Sequence, residues 1–280
     1  MQAEAVIEDI VNRIKLVPGI IGIVLGGSRA RGSHTAKSDI DIGIYYDHAD
    51  SFDIPALQKV ASELDYTHRE DTLTAVNGWG PWVNGGGWLT INHYQVDFLY
   101  RDINKVSRVV DQCLCGEITI DYYPGHPHGF INSIYMAEIS LCQVLWDPRQ
   151  AVLALKRRTS SYSQALKKSL IEKFLWEAAF SLSAASKSVA RRDASYAAGC
   201  CFRSISCLNQ ALFAMNECYW MNEKGAVQIA SSFVIIPFEY ESRVNEIFKL
   251  ISSDSKALEQ ALHLLQGVIE ETENLCEVSS

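Results

Sequence analysis

Residues 26–46 read GGSRARGSHTAKSDIDIGIYY. Two glycines and a serine lead into a polar loop carrying Arg29, Arg31 and Lys37, and two aspartates follow inside an apolar run. On a strand, residues i and i+2 point the same way, so Asp39 and Asp41 project side by side while Ile40 and Ile42 face a core. Two carboxylates so placed repel each other unless a positive charge lies between them. Hard oxygen ligands suit magnesium. Taken alone, the pair fits a solvated acidic edge strand better than a metal site. The turn before it reverses that preference. Gly26-Gly27-Ser28 follow the apolar run Ile20–Leu25 and are placed to open a helix. Glycine lets backbone approach an anion, and the free N–H groups of a helix start attract phosphate. Ser28 adds a hydroxyl donor. Arg29, Arg31 and Lys37 can meet the charge of a triphosphate; the alternative for each is ordinary loop solvation.

A third carboxylate comes from YQVDFLYRD at 94–102, where Val96, Phe98 and Tyr100 alternate with Asp97. If this strand neighbours the one bearing Asp41, Asp97 joins the cluster. Three converging carboxylates suit two-metal phosphoryl or nucleotidyl transfer.

Along the chain, helical periodicity predicts a helix over 3–16 and another over 53–65. Strands are expected at 20–25, 39–46, 88–92 and 94–100, the last two as a hairpin. The Gly- and Trp-rich segment NGWGPWVNGGG at 77–87 reads as a mobile loop. Beyond residue 102 the pattern turns helical, with helices expected at about 130–145, 148–158, 163–192, 195–221 and 241–276. DYYPGHPHGF at 121–130 is the best linker. The expected fold is therefore α+β: an N-terminal α/β domain with a mixed sheet over 1–120, a helical bundle over 121–280, and a substrate cleft between them.

The formal net charge is −8, and acids outnumber bases in both halves. This argues against a surface that tracks duplex nucleic acid. No apolar run is long enough to span a bilayer, and the opening residues read as an amphipathic helix, not a secretion signal. A cytoplasmic protein without membrane contact is expected. The eight cysteines show no CxxC pair and mostly lie in apolar stretches, as structural thiols do.

Gly27-Ser28, ten intervening residues and then Asp39-Ile40-Asp41-Ile42 resemble the signature of the DNA polymerase β-like nucleotidyltransferase superfamily. The size and helical second half look most like its small-molecule branch, the aminoglycoside and lincosamide nucleotidyltransferases. The resemblance implies that Asp39 and Asp41 bind magnesium, two ions in all. It implies that Ser28, with Gly27, Arg29 and Lys37 nearby, holds a nucleoside triphosphate, ATP by expectation, and that Asp97 is a third metal ligand or the general base. The implied reaction moves a nucleoside monophosphate to a hydroxyl of a small molecule, an antibiotic being one candidate, and releases pyrophosphate. The rival reading is a toxin–antitoxin-like member that modifies or binds a protein or RNA partner. The fused helical half favours the small-molecule reading, and a catalytically dead binding module ranks last because all three carboxylates are present.

Four further features are open. His126 and His128 could bind metal or nucleotide, shuttle protons, or merely order a linker. Glu138 falls on the apolar stripe Ile131, Ile134, Leu141, Leu145, so it is either a catalytic base or half of a structural ion pair, with an arginine as partner. Glu177 flanks the stripe of the long helix and is the other glutamate that could match a base supplied by the helical half. Trp79, Trp82 and Trp88 could cover a substrate or form a hydrophobic turn.

Overall fold

The computed structural model describes residues 3–32, 34–48 and 51–279. In chain order its elements are α1 (Ala3–Ile14), β1 (Ile20–Leu25), α2 (Gly27–Ala30), β2 (Ile40–Tyr46), α3 (Ile54–Leu64), β3 (Gly86–Ile91), β4 (Tyr94–Asp102), α4 (Ile103–Leu114), β5 (Ile120–Tyr123) and β6 (His126–Ile131). They continue with α5 (Ile134–Leu141), β7 (Gln143–Trp146), α6 (Ala151–Arg158), α7 (Gln164–Ser186), α8 (Ala194–Met215), α9 (Ala226–Ala230), α10 (Tyr240–Leu250) and α11 (Ser255–Ser279). No helix among the described residues is long and apolar enough to cross a membrane.

Two compact units result, and each is built from two stretches of chain. The first joins Met1–Asp111 to Tyr135–Ser161; the second joins Gln112–Ile134 to Tyr162–Ser280. The division expected at 120 thus becomes an exchange of segments, with Tyr135–Ser161 contributing to the sheet-bearing unit.

The first unit carries a five-stranded mixed sheet in the order β3-β4-β2-β1-β7. β2 and β4 run parallel, and the other neighbours are antiparallel. Period-two alternation sorts its faces. Ile40, Ile42, Ile44, Val96, Phe98 and Tyr100 point into a core completed by Val6, Ile10 and Ile14 of α1 and Leu57, Ala61 and Leu64 of α3. Helix α6 packs closely against β1: a Cβ at Gly22 would meet Val152 Cγ2 at 2.7 Å. That close packing explains a glycine inside a buried strand.

Strand β3 lies at the sheet edge, and buried Asp65 secures it. Asp65 ends α3 and accepts from the Thr90 amide at 2.9 Å, the Thr67 hydroxyl at 2.7 Å and both Nε and Nη2 of Arg69 at 3.0 and 2.8 Å. Arg69 in turn donates to the Trp88 carbonyl at 2.9 Å. An edge strand left with open backbone groups invites pairing with other chains, and this network satisfies two of them.

In the second unit, α7 and α8 pack along each other. The α7 stripe Leu166, Leu170, Phe174, Ala178, Leu182 and Ala185 is buried, as its periodicity predicts. Three expectations are corrected. The linker 121–130 is largely a hairpin, β5 paired antiparallel with β6. The helix expected over 130–145 is only the short α5, flanked by the end of β6 and by β7, which pairs with β1. The helix expected over 241–276 is two, α10 and α11, parted by 251–254, where Asp254 accepts the Ala257 amide at 2.8 Å as a helix cap.

The bonds to Arg69, with the Thr90 and Thr67 bonds, hold the Asp65 carboxyl well below the usual carboxylate range despite its burial. A depressed folded-state pKa adds stability above the unfolded value of about 3.9, and that stability is lost as pH falls through the folded value. Asp65→Asn should cost roughly 1–3 kcal/mol at pH 7 and flatten the decline of stability below about pH 4. Urea denaturation at several pH values checks both; an unchanged acid-side slope refutes the assignment.

Candidate active site

The parallel register places Asp41 directly beside Asp97. The β3–β4 register places Trp88 directly beside Asp97 on its other flank. Directly paired residues project to the same face, so Asp41, Asp97 and Trp88 form a row across the sheet, away from the apolar core. Asp39 stands two residues before Asp41, at the exposed approach to β2. Asp97 senses its neighbours. Burial first, then Asp41 and Asp39, push its carboxyl up to about 6.

The glycine turn closes on this row. The Gly26 amide donates to the Asp41 carbonyl at 2.8 Å. Gly27 has φ +61, and a Cβ there would lie 1.9 Å from Asp41 Oδ2. Glycine is needed at 27 for conformation and for space, and the Asp41 carboxylate rests against the start of α2. Ser28 lies in the single turn α2, partly exposed.

The basic residues of the loop divide. Arg29 is buried and donates through Nε to the Asp39 carbonyl at 2.9 Å and through Nη2 to the Ser38 carbonyl at 2.6 Å; its guanidinium lies over the Tyr94 ring. These bonds tie it to the approach to β2. Arg31 and Lys37 are exposed.

Glu138 is the other correction. Arg101 Nε and Nη2 donate to its two oxygens at 2.7 and 2.6 Å. Arg101 is almost wholly buried, with its guanidinium also over the Tyr135 ring. Arg101 shares the face of Asp97 but stands four residues further along β4, about 13 Å away at 3.3 Å per residue. Both carboxylate oxygens are thus taken up by one buried cation. Glu138 therefore takes the structural alternative, and the alternation 97, 99, 101 would have shown from sequence that Arg101 lies on the functional face.

Glu177 is likewise engaged, within the second unit. Arg203 Nε donates to its Oε1 at 2.7 Å, and His128 Nε2 lies 3.6 Å from the same oxygen. His126 Nδ1 stands 3.5 Å from Glu223 Oε2.

The loop at 77–87 is tied down. Asn84 bonds Asn77 side chain to side chain at 3.0 Å, Tyr135 donates to the Trp82 carbonyl at 2.5 Å, and Lys105 lies over the Trp82 ring. Trp79 stacks on Trp88 with centroids 4.6 Å apart, leaving Trp88 62% exposed beside the carboxylates. The sequence pointed to these tryptophans but not to their register with Asp97.

Residues 6–77 match the family model described as "Nucleotidyltransferase domain". The matched stretch includes Gly27, Ser28, Asp39 and Asp41 and ends before Asp97. No curated protein matches the chain. Among solved structures, a nucleotidyltransferase-like protein from Exiguobacterium sibiricum 255-15 is similar at 10% identity over 98% of this chain and 78% of its own, with a TM-score of 0.45.

Two outcomes test these assignments. Glu138→Gln should lower stability by roughly 3–5 kcal/mol, the cost of leaving a buried cation unpaired, seen as a fall in the urea midpoint. A variant of wild-type stability would return Glu138 to the catalytic candidates. For Asp97 the sign is opposite to that of Asp65. Its raised folded-state pKa means that the carboxyl's contribution to stability is lost as pH rises through about 6. Asp97→Asn should therefore raise the melting temperature of metal-free protein at pH 8 and leave it nearly unchanged at pH 4, measured by calorimetry with chelator present.

Proposed function

We propose that the protein transfers a nucleoside monophosphate from a nucleoside triphosphate, ATP first among them, to a hydroxyl of a small molecule and releases pyrophosphate. The observation that carries this reading is the row Asp41–Asp97 under the Gly27 turn, with the Asp97 carboxyl pushed up to about 6 by burial first and then by Asp41 and Asp39. Such a cluster is costly unless cations enter it. Its donors are all carboxylate oxygens, a set that suits magnesium. Asp39, Asp41 and Asp97 would hold two ions, which when bound supply charge stabilisation at the transferring phosphorus.

In this reading Ser28 and the α2 backbone hold the triphosphate, and Lys37 adds charge from the loop. Arg29 keeps Asp39 aligned. The acceptor oxygen bonds to the α-phosphorus as the bond to the bridging oxygen breaks, and the hydroxyl proton passes to Asp97. In-line displacement separates the entering and leaving groups. The strand order supports that layout: the glycine turn flanks Asp41 on the β1 side, and Trp88 flanks Asp97 on the β3 side. Pyrophosphate would depart past α2, and the acceptor would approach over Trp88. Aminoglycosides and lincosamides are the first acceptors to try.

The test is transfer of label from α-labelled ATP with magnesium across aminoglycoside, lincosamide and protein acceptors. Wild type should label a small molecule. Asp41→Asn should abolish labelling and weaken magnesium-dependent ATP binding while the far-ultraviolet spectrum is unchanged. Equal labelling by Asp41→Asn, or a wild type that neither labels an acceptor nor binds magnesium-ATP, defeats the reading; labelling of protein alone would favour the partner-modifying rival.

A further inference from the structure

His128, Glu177 and Cys207 come from three elements of the second unit, β6, α7 and α8. Their donor atoms meet: His128 Nε2 lies 3.5 Å from Cys207 Sγ and 3.6 Å from Glu177 Oε1, and all three donors lie within 4.8 Å of one another. The His128 side chain is 1% exposed and that of Glu177 10%, and Cys207 is buried. A tetrahedral zinc ion with Zn–S near 2.3 Å and Zn–N and Zn–O near 2.0–2.2 Å would set neighbouring ligands about 3.3–3.6 Å apart. The His128–Cys207 and His128–Glu177 separations fall at that spacing. A sulfur, an imidazole nitrogen and a single carboxylate oxygen are a poor set for magnesium and a good one for zinc.

The surroundings support the ligands. Arg203, with a side chain 55% exposed, bonds Glu177 Oε1 through Nε at 2.7 Å and Nη2 at 2.6 Å. Ligating carboxylates are commonly steadied by such outer partners. The His128 amide donates to Glu223 Oε1 at 2.8 Å, which holds β6 in place.

We propose that His128, Glu177 and Cys207 form a zinc site with a fourth position for water, fastening the β5–β6 hairpin to α7 and α8. The cluster belongs to the second unit and does not rest on the proposed activity. The proton balance is definite. Burial first, and then Glu177, keep Cys207 as a thiol without a cation; zinc binding forms the Zn–S bond and releases that proton to solvent. Among the described residues His128 Nδ1 is buried without a hydrogen-bond partner. Before binding, the ring proton therefore belongs on Nε2, facing Glu177, and binding moves it to Nδ1. Without an outer partner for that nitrogen, affinity should fall about 10–100-fold below that of a fully supported site.

The test uses the full chain, stripped by chelator and titrated with Co²⁺ and, separately, Zn²⁺. One Co²⁺ per chain should bring in a thiolate-to-cobalt charge-transfer band, and Zn²⁺ should erase it. Zn²⁺ should raise the melting temperature, because the ion binds the folded state alone. Cys207→Ser and His128→Gln should lose both the band and the zinc-dependent shift. Cys200→Ser, on the same helix but outside the cluster, should keep both. Far-ultraviolet spectra of each variant confirm folding, and either of the first two suffices if the other fails to fold. Absence of the band at stoichiometric cobalt overturns the proposal, as does its persistence in Cys207→Ser or its loss in Cys200→Ser.

Discussion

Asp41 and Asp97 are neighbours across the parallel pair β2–β4, and much of the first unit serves to keep two carboxylates there. Burial and the like charges of Asp41 and Asp39 both disfavour ionisation, and together they push Asp97 upward. The stabilisation that offsets this cost comes from the other face. Ile40, Ile42, Val96 and Phe98, all fully buried, pin the two strands in one register. A slip by one residue would turn these four to solvent and the aspartates into the core. The apolar half of the alternation thus positions the polar half.

The approach to that row is governed by contacts that leave little freedom. Gly27 lets the chain turn against the Asp41 carboxylate, where any side chain would collide. Arg29 draws the Ser38 and Asp39 carbonyls onto a buried guanidinium ten residues back in the chain. A buried arginine so used rigidifies the segment carrying Asp39. The loop that follows the glycine turn therefore combines a positioning cation with the exposed Arg31 and Lys37.

What was legible in sequence follows from how local each signal is. The alternation in DIDIGIYY and YQVDFLYRD fixed both strands and their faces, and the i, i+3, i+4 pattern fixed α1, α3 and α7. The Gly-Ser turn and the two aspartates are close in sequence, so that half of the site could be read directly. Features set by distant partners were not legible. Glu138 lies on an apolar stripe for either a catalytic or a structural reason, and only Arg101, 37 residues away, decides between them. The stretch at 130–145 reads as one helix because apolar runs suit either state; pairing of 143–146 with β1 makes its end a strand. GHPHGF looks like a linker through its Gly and Pro, yet β5 gives it an antiparallel partner. Register, too, needs the partner strand, so sequence places Trp88 at the start of a strand but not beside Asp97.

Asp65, Glu138, Glu177 and Asp97, all partly or fully buried, can be ordered by how their charge is met. Asp65 has an arginine and backbone and hydroxyl donors, and its pKa is depressed. Glu138 has both oxygens on Arg101. Glu177 has Arg203 on one oxygen, with His128 and Cys207 beside it; His128 first and Arg203 after it hold it at about 2 against burial. Among the described residues Asp97 has no basic partner, and its shift is upward. Complete satisfaction is the mark of a structural group, because a network with every donor and acceptor used has nothing left to offer a ligand. An uncompensated acid in a well-packed sheet costs stability that the fold could recover by a single substitution to asparagine. Strain of this kind is characteristic of sites where function sets the residue. On that ordering Asp65 and Glu138 have their charge met within the fold, and Asp97 does not. Glu177 lies between them, with its ion pair made and two further metal-binding side chains at its free flank.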